Sequence, residues 1–438
     1  MPTSPGIDAH HDHQRHAEAD MAWRRAFELA GTLPVPLPAE RVTLAEAAGR
    51  TLAEDATSAV LLPGTDTAAM DGYAVAGSPP WRVIGQVLAG RPANGLPDLA
   101  DGTAVEIATG APVPGGTDAV IPIEVCHIEG DTVRPATPVQ PATPVRPATP
   151  GQHATPGRHA ITGQHATPAQ PATTPRTRTH IRRAGEDLTP GLPLASAGTP
   201  VTATLTGLAA HAGLDHLTVH RSPRIRLTAT GDEVIPSGIP APGQVRDALT
   251  PLLTALLHHT GATLAAAGHV PDRAELLEAA LESTDWDVMV VTGSSSVGRA
   301  DHLHRVLTAL RARWHVDGVA CRPGHPQALA QLPDGRWVVG LPGNPYAALV
   351  GAVTLLRPLL DALQGRAPRR FPRLPVTGDV RPYPTGTRLI PVHVAGDHAT
   401  VVPGSRPASL LAAATADALA VVPADWTPGD ATELLPVQ

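Results

Sequence analysis

Residues 286–301 constrain the fold more than any other stretch, because their pattern predicts a strand, a small-residue loop and a helix in succession. Residues 288–291 form an apolar run of the kind found in buried parallel strands. In open α/β sheets the loop after such a strand lies where ligands bind. Its free N–H groups and the helix N-terminus favour an anion such as phosphate, although a tight turn without a ligand explains the pattern equally well.

Asp301, at the end of this loop, bears on the choice between these interpretations. A carboxylate beside a phosphate repels it, unless a divalent cation lies between the two groups. A simple role for Asp301 as a helix cap would also remove the conflict. The residues alone leave both possibilities open.

Residues 220–365 alternate predicted strands and helices, which is typical of a parallel sheet covered by helices. Asp247 is placed to cap one of these helices, and Asn344 and Pro345 are placed as the N-cap and first residue of another. Polar strand ends at 231–233, 292–301 and 342–345 should converge on one edge of that sheet.

The remainder of the chain is rich in strands and turns. Residues 55–180 predict a small all-β module, and residues 370–438 predict a β-barrel or sandwich. Residues 134–176 repeat Pro-Ala-Thr-Pro and predict a disordered insertion that acts as a spacer or binds a partner. The histidine-rich residues 1–16 predict a flexible tail, with metal binding as the less favoured alternative.

The composition excludes several functions. The net charge of −7 argues against a general binder of nucleic acids or membrane surfaces. All 33 fixed side-chain cations are arginines, so lysine is absent as a base or phosphate clamp. Cys126 and Cys321 lie far apart and are expected to be reduced. We find no apolar run long enough to span a bilayer and no signal peptide, and we therefore expect a cytoplasmic protein.

Several short motifs occur together in the order in which one known family carries them. They are Ala69-Met-Asp-Gly-Tyr-Ala-Val75, Thr109-Gly-Ala-Pro-Val-Pro114, Arg183-Ala-Gly-Glu-Asp187, Thr230-Gly-Asp-Glu233, Val291-Thr-Gly-Ser-Ser-Ser-Val-Gly298 with Asp301, Arg322-Pro-Gly-His-Pro326, Gly340-Leu-Pro-Gly-Asn-Pro345 and Gly404-Ser405. With these motifs the chain resembles the molybdopterin molybdenumtransferases, the MoeA family, whose eukaryotic relative is the E domain of gephyrin. Each motif is weak alone, but their shared order is highly specific.

The resemblance implies a multidomain chain of α/β and all-β modules. Residues 17–54 and 180–219 would form an N-terminal linker and dimerisation domain, with the β module at 55–179 inserted between them. Residues 220–366 would form a molybdopterin-binding domain with a MogA-like three-layer α/β sheet. Residues 367–438 would form a C-terminal β-barrel.

The resemblance also implies a reaction and its partners. The enzyme would insert molybdate into adenylated molybdopterin and release AMP, with Mg²⁺ as cofactor. It would act as a homodimer whose active site lies at the subunit interface. A molybdopterin adenylyltransferase would supply the substrate, and apo-molybdoenzymes would receive the product. No nucleic acid or membrane partner is expected.

Site residues follow from the family motifs. We expect catalytic roles for Asp301, Asp71, Thr109, Glu233 and Arg322, with Asp71 and Thr109 contributed across the dimer interface. Metal ligands would be Asp301, Glu233 and Asp247. Substrate would contact Thr292, Gly293, Ser294, Ser296, Gly298, Asp247, Asp187, His325, Pro342, Gly343, Asn344 and Pro345, with Glu186 also shaping the cleft. For each carboxylate the alternative is a helix cap or a turn residue.

Three departures from the family pattern suggest a second hypothesis. Ser294 replaces a loop glycine, and a side chain there would narrow an anion cradle. Arg322 and His325 replace two lysines, and a neutral imidazole would weaken an anion clamp. The residues after Asp247 lose their polar side chains. The chain could therefore be a divergent paralogue that binds molybdopterin or molybdate, or serves as a scaffold, with little transferase activity.

Overall fold

The structure is a computed structural model that describes residues 19–90, 98–136, 180–293 and 302–437. Contacts divide the chain into two compact units. One unit is residues 57–192, and the other combines residues 1–56 with 193–438. The predicted tail at 1–16 and most of the predicted insertion lie outside the described residues, although Arg134 and Pro135 belong to a strand.

The first part of the larger unit begins with a short strand that leads directly into a helix. Its elements are β1 (Ala19–Ala22), α1 (Trp23–Thr32), β2 (Ala39–Thr43), α2 (Leu44–Ala47) and β3 (Ala56–Thr57). Helix α2 starts with a reciprocal capping box: Glu46 N donates to Thr43 Oγ1 at 3.4 Å, and Thr43 N donates to Glu46 Oε2 at 3.0 Å. The spacing of Thr43 and Glu46 predicts this box.

The unit of residues 57–192 is built mainly from short strands. They are β4 (Thr67–Ala68), β5 (Gly72–Val75), β6 (Trp81–Val87), β7 (Thr103–Ile107), β8 (Ala119–Pro122), β9 (Cys126–Glu129), β10 (Thr132–Pro135) and β11 (Ile181–Arg182). A single 3₁₀ turn covers Ile123–Val125 among the described residues. Six strands form a sheet in the order β8-β5-β7-β6-β10-β9, and β11 pairs with β4. Residues 180–192 therefore pack with this unit, whereas the sequence assigned them to the N-terminal domain.

The rest of the larger unit starts with mixed elements and continues into the predicted α/β domain. It contains β12 (Pro193–Ala195), α3 (Ala203–His211), β13 (His216–His220), β14 (Arg224–Thr230), β15 (Val234–Ile235), β16 (Val245–Arg246), α4 (Leu249–His258), β17 (Thr263–Val270), α5 (Ala274–Glu282), β18 (Val288–Thr292), α6 (His302–Ala309), β19 (Arg313–Arg322), β20 (Ala328–Gln331), β21 (Trp337–Leu341), α7 (Pro345–Gly351) and α8 (Arg357–Leu363). A π-helical turn, Ala352–Leu356, joins α7 to α8.

The central sheet has the order β17-β14-β18-β21-β20-β19. Strand β18 pairs in parallel with both β14 and β21, as the alternating pattern predicts. The predicted parallel sheet also contains one antiparallel strand, because β20 runs antiparallel to both β21 and β19. Strands β19, β20 and β21 follow one another through short turns, and a short connection cannot return the chain for a parallel pairing.

The alternation of side chains along β18 explains why helices cover both faces of the sheet. Val288 and Val290 belong to one core cluster, which also contains buried residues of α4, α7 and α8. Met289 and Val291 belong to a second cluster, with buried residues of α5 and α6. Since successive strand residues point to opposite faces, an apolar run at 288–291 requires an apolar layer on each side. The result is the predicted three-layer domain.

The C-terminal segment forms a closed barrel. Its elements are β22 (Arg373–Thr377), β23 (Thr387–Ala395), β24 (His398–Val401), α9 (Leu411–Thr415), β25 (Ala418–Val422) and β26 (Ala431–Pro436). The strands pair in the order β23-β24-β22-β26-β25, and β25 returns to β23. Strand β19 also pairs in parallel with β23, at Cys321–Thr387 and Arg322–Arg388. The barrel is therefore hydrogen bonded to the edge of the central sheet.

The sequence interpretation missed one apolar run of membrane-spanning length. Residues Pro345–Leu363 form a helical segment of 19 residues with a mean hydropathy of 1.5. About 94% of that window is buried inside the protein, where it packs against the central sheet. Because a buried core helix is apolar on all sides, it has the same composition as a membrane span.

Candidate functional site

The ends of three central strands meet at the carboxyl edge of the sheet. The Thr230 hydroxyl, at the end of β14, donates to the Thr292 carbonyl at the end of β18, at 2.9 Å. The Gly293 N–H donates to the Leu341 carbonyl at the end of β21, at 3.1 Å. Thr230 and Thr292 are both buried. These bonds hold the three strand ends side by side, as the sequence predicts.

Gly293 is the point where these strand ends approach most closely. Its φ of +92° lies in the region that glycine tolerates best, and a Cβ there would lie 2.6 Å from the Thr230 carbonyl oxygen. A Cβ on Gly343 would lie 3.5 Å from the Gly293 Cα. Gly293 and Gly343 thus lie close together at the ends of β18 and β21. The predicted site residues Thr292, Gly293 and Gly343 are brought together here.

The remainder of the predicted anion loop lies outside the described residues. This applies to Ser294, Ser296, Gly298 and Asp301. Their assigned roles in binding substrate and metal therefore stay predictions. The effect of a serine at position 294 is likewise untested.

The predicted cleft residues after β21 lie at the start of a helix. Pro342 is buried, while Gly343 and Asn344 are exposed. Asn344 is the N-cap of α7 and Pro345 its first residue, as predicted. The Asn344 carbonyl accepts from Ala348 N at 2.8 Å, but its side chain makes no capping hydrogen bond. The amide of Asn344 is consequently available to a ligand.

Glu233 and Asp247 flank a short parallel pair of strands, β15 and β16. A Cβ on Gly231 would lie 2.8 Å from Glu233 Oε2, so the Glu233 carboxylate folds back over the strand end. Asp247 Oδ1 accepts from Leu249 N at 2.9 Å and from Thr250 N at 3.0 Å. Asp247 therefore caps α4, which was the structural alternative to its predicted role.

His269 is a neighbour of this loop that the sequence analysis missed. Its Nε2 atom lies 2.7 Å from the Gly231 carbonyl oxygen, 38 residues away in the chain. The contact arises because β17, which carries His269, pairs in parallel with β14. A lone histidine in an apolar strand carries no sequence signal for such a partner.

Arg322 and His325 are the two residues at positions of family lysines, and each contacts another side chain. Arg322 is the last residue of β19, and His325 lies in the loop that follows. The Arg322 guanidinium lies 4.7 Å from the centre of the Tyr383 ring, which is a cation–π contact. A hydrogen bond with Thr385, and then one with Arg322, lowers the pKa of Tyr383. His325 Nε2 pairs with the carboxylate of Asp20.

Asp20 reaches His325 because β1 lies alongside β19 in parallel, with Met21 opposite Val319. Gly318 lies between them, and a Cβ there would be 3.4 Å from Asp20 Oδ1 and 3.6 Å from His325 Cε1. Asp20 itself has a φ of +61°, which is uncommon for a residue with a side chain. The sequence gives no signal for this pair, since its members are 305 residues apart.

Asp71 and Thr109, two predicted catalytic residues in the 57–192 unit, contact each other. Asp71 Oδ1 accepts from the Thr109 backbone N–H at 2.6 Å and from the Thr109 hydroxyl at 2.8 Å. The backbone hydrogen bond, and then the hydroxyl bond, lowers the pKa of the Asp71 carboxyl. Asp71 is consequently an anion at neutral pH, held in one orientation by the turn at 109–110.

Asp187 and Glu186 belong to a charged turn in the same unit. Asp187 pairs with Arg182, and Glu186 Oε2 accepts from Arg183 N at 2.8 Å. Arg183 also pairs with Asp66. Asp187 therefore has a charged partner within the turn, which supports the structural alternative for Asp187.

We tested whether the described residues fit a magnesium ion. Mg²⁺ requires several oxygen ligands at about 2.1 Å in near-octahedral geometry. Within residues 19–90, 98–136, 180–293 and 302–437, no group of three acidic, histidine or cysteine side chains is placed to hold a metal ion. Asp247 already uses one oxygen as a helix cap. The predicted set of Asp301, Glu233 and Asp247 thus depends on Asp301.

Comparisons with known proteins agree with this architecture. Residues 18–213 match the family profile described as MoeA N-terminal region (domain I and II). Residues 227–362 match the profile described as Probable molybdopterin binding domain. The three polar strand ends lie within this second match.

Similar proteins cover most of the chain. A molybdopterin molybdenumtransferase of Synechococcus elongatus is 33% identical over 375 residues, which are 80% of this chain and 83% of the relative. One from Haemophilus influenzae is 30% identical and covers 76% of this chain and 75% of the relative. The crystal structure of a molybdopterin biosynthesis MoeA protein from Pyrococcus horikoshii aligns with a TM-score of 0.72 and 25% identity, over 96% of this chain and 99% of that one. The chain belongs to the MoeA family of molybdopterin molybdenumtransferases.

Proposed function

We propose that this chain inserts molybdenum from molybdate into adenylated molybdopterin and releases AMP. One observation carries the proposal: the ends of β14, β18 and β21 lie against one another at Thr230, Gly293 and Gly343. Ligands of open α/β sheets bind at such an edge. It lies within the part of the chain that matches a molybdopterin-binding domain.

The chemistry of the substrate suits the groups at this edge. Adenylated molybdopterin carries phosphates, and backbone N–H groups at a strand-to-helix loop bind phosphate. Asn344, exposed at the start of α7, offers a neutral amide to the same ligand. Arg322 contributes a permanent cation, and its planar guanidinium suits a phosphate or oxyanion. These groups would hold the adenylyl link in place while an oxygen attacks phosphorus.

In this proposal, Asp301 and Glu233 would be ligands of a magnesium ion. A divalent cation neutralises charge on the phosphates and orients the attacking oxygen. We assign Asp247 a weaker role, because its Oδ1 atom caps α4. Asp71 and Thr109 would supply a fixed carboxylate from the other subunit of a homodimer.

The cellular setting completes the proposal. A molybdopterin adenylyltransferase would deliver the substrate, and apo-molybdoenzymes would accept the product. We place the protein in the cytoplasm. The helical segment Pro345–Leu363, which is long and apolar enough for a membrane, is 94% buried and supports that placement.

The test measures AMP release from adenylated molybdopterin by the purified chain with Mg²⁺, with and without molybdate. Molybdate-dependent release, lost in Asp301→Asn and strongly reduced in Glu233→Gln, would support the proposal. Asp285→Asn is the matched control, because Asp285 precedes β18 and so lies near the opposite end of the same strand. No release by the unmodified chain would refute the transferase.

A second candidate is a binding protein or scaffold with little transferase activity. It is favoured by the partners of the two residues that replace family lysines, since His325 pairs with Asp20 and Arg322 lies on Tyr383. A cation already held by a protein partner is less available to a substrate anion. Tight binding of adenylated molybdopterin without AMP release would select this candidate. A large gain of activity in the triple variant Ser294→Gly, Arg322→Lys, His325→Lys would indicate a decayed transferase site.

A further inference from the structure

A cavity of about 190 Å³ lies in the larger unit, away from the site described above. Its walls come from α1, from α8 and the residues that follow it, and from the end of β26. None of the predicted site residues that the structure describes lines the cavity. Val353, the lining residue nearest to Pro345 along this helical segment, follows it by eight residues, or roughly 12 Å at 1.5 Å per residue. The cavity is therefore not part of the proposed molybdopterin site.

The apolar half of the cavity is built from side chains of three elements. Phe27 of α1 meets Phe371 edge to face, with the ring centres 5.8 Å apart. Val353, Pro358 and Leu435 complete this apolar surface. A cavity of about 150 Å³ with apolar walls accepts benzene. The volume of this cavity therefore suits a ligand whose apolar part is a single ring or a short branched chain.

The other half of the cavity carries more positive than negative charge. Asp361 is 4% exposed and accepts from both Arg366, at 3.3 Å, and Arg369, at 2.5 Å. Arg24 also lines the cavity, but it pairs with Glu433. In all, four arginines and two carboxylates, Glu28 and Asp361, line the cavity.

Arg357 is an arginine of this cavity with an unsatisfied donor atom. Within the part of the chain that the structure describes, its Nε atom is buried and makes no hydrogen bond. Burial, and then the nearby charge of Arg369, lowers the pKa of the Arg357 guanidinium. Leaving a buried charged donor unsatisfied is costly, and buried charges are normally paired. Asp361 is the carboxylate near Arg357, but Arg366 and Arg369 already pair with it, so an anionic ligand would satisfy the free Nε donor of Arg357.

We propose that this cavity binds a small organic monoanion, a carboxylate on a compact apolar body. The carboxylate would pair with Arg357, which presents a planar fork of donors that matches it. The apolar body would lie against Phe27, Phe371 and Val353. A larger ligand fits less well, because the cavity is small.

The experiment titrates benzoate into the full-length protein by isothermal titration calorimetry. Benzoate should bind saturably with one site per chain, whereas benzamide, which has the same shape without the charge, should not bind. Inorganic phosphate, a small anion without an apolar body, should bind at least tenfold more weakly than benzoate. Saturable binding of benzamide or phosphate equal to that of benzoate would refute the assignment of ligand chemistry. These comparisons use only the unmodified chain, so they do not depend on a variant that folds.

Two variants then locate the site. Arg357→Met should weaken benzoate binding by at least about tenfold, because it removes a charge-assisted hydrogen bond. Arg370→Met is the matched control, since Arg370 is exposed and does not line the cavity. Absence of benzoate binding to the unmodified chain, or equal binding by both variants, would overturn the proposal. Loss of AMP release plays no part in this test, so the two proposals fail independently.

Discussion

Gly293→Ala should lower the free energy of unfolding by more than the strain of the left-handed backbone conformation alone would. The φ of Gly293 is +92°, and left-handed backbone costs a residue with a side chain about 1–2 kcal/mol. The new methyl group would also lie 2.6 Å from the Thr230 carbonyl oxygen. Thr230 cannot move away easily, because it ends a strand that pairs with β17 and β18. Crowding of this kind costs about 1–3 kcal/mol more.

Gly335→Ala provides a control with the same backbone conformation. The φ of Gly335 is +91°, but a Cβ there would meet nothing within 4 Å. Urea unfolding, followed by circular dichroism, should therefore show a loss of about 1–2 kcal/mol for Gly335→Ala. The loss for Gly293→Ala should be about 2–5 kcal/mol, the sum of strain and crowding.

Activity should separate the two variants further. If Gly293→Ala pushes the loop after β18 away from Thr230, AMP release should fall while Gly335→Ala keeps the unmodified rate. Equal losses of stability in the two variants would refute the reasoning, because the crowding at Thr230 would then contribute nothing. A destabilised Gly293→Ala with full activity would show that the loop position is irrelevant to the chemistry.

Three further predictions concern carboxylates. Asp287→Asn should cost about 2 kcal/mol in urea unfolding at pH 7, because its carboxylate holds two guanidinium nitrogens at 2.8 Å. Burial raises the pKa of Asp287, but hydrogen bonds from Arg221 and from Arg224 N outweigh it, so the pKa is lowered on balance. The stabilisation should be complete well above the unfolded pKa of about 3.9 and be lost as the pH falls through the lower pKa of the folded state. Thr109→Ala should raise the pKa of Asp71 towards its usual range, as NMR titration of that carboxyl would show; an unchanged pKa would contradict the hydrogen-bond assignment. Asp20→Asn should change the rate of AMP release through the position of His325, and an unaltered rate would mean that the pair is only structural.

Local sequence patterns predicted the parts of the fold that depend on local physics. The capping box at Thr43, the N-cap at Asn344 and the buried strand at 288–291 follow from hydrogen bonding and burial within a few residues. The family motifs then identified the strand ends that the structure brings together. The antiparallel course of β20 was missed, because a four-residue apolar run carries no information about direction.

Long-range partners of charged groups could not be predicted. Asp20 pairs with His325, which lies 305 residues away in the chain. In the sequence, His325 is recognisable only as a residue that replaces a family lysine. Arg357 lies inside a largely apolar helical stretch, although a cation is usually assigned to the surface. Such pairings depend on how the helices and strands pack together. The periodic pattern of apolar residues within one helix or strand does not specify that packing.

The pairing of β19 with β23 has a consequence for how the protein can be divided. A fragment that ends near residue 366 would retain the complete central sheet but lose the strand that covers Cys321 and Arg322. Their backbone donors and acceptors would then form an open edge, on which a second molecule could add a strand. The α/β domain expressed alone should therefore self-associate through this edge, and charged or proline substitutions there would be needed to keep the fragment monomeric.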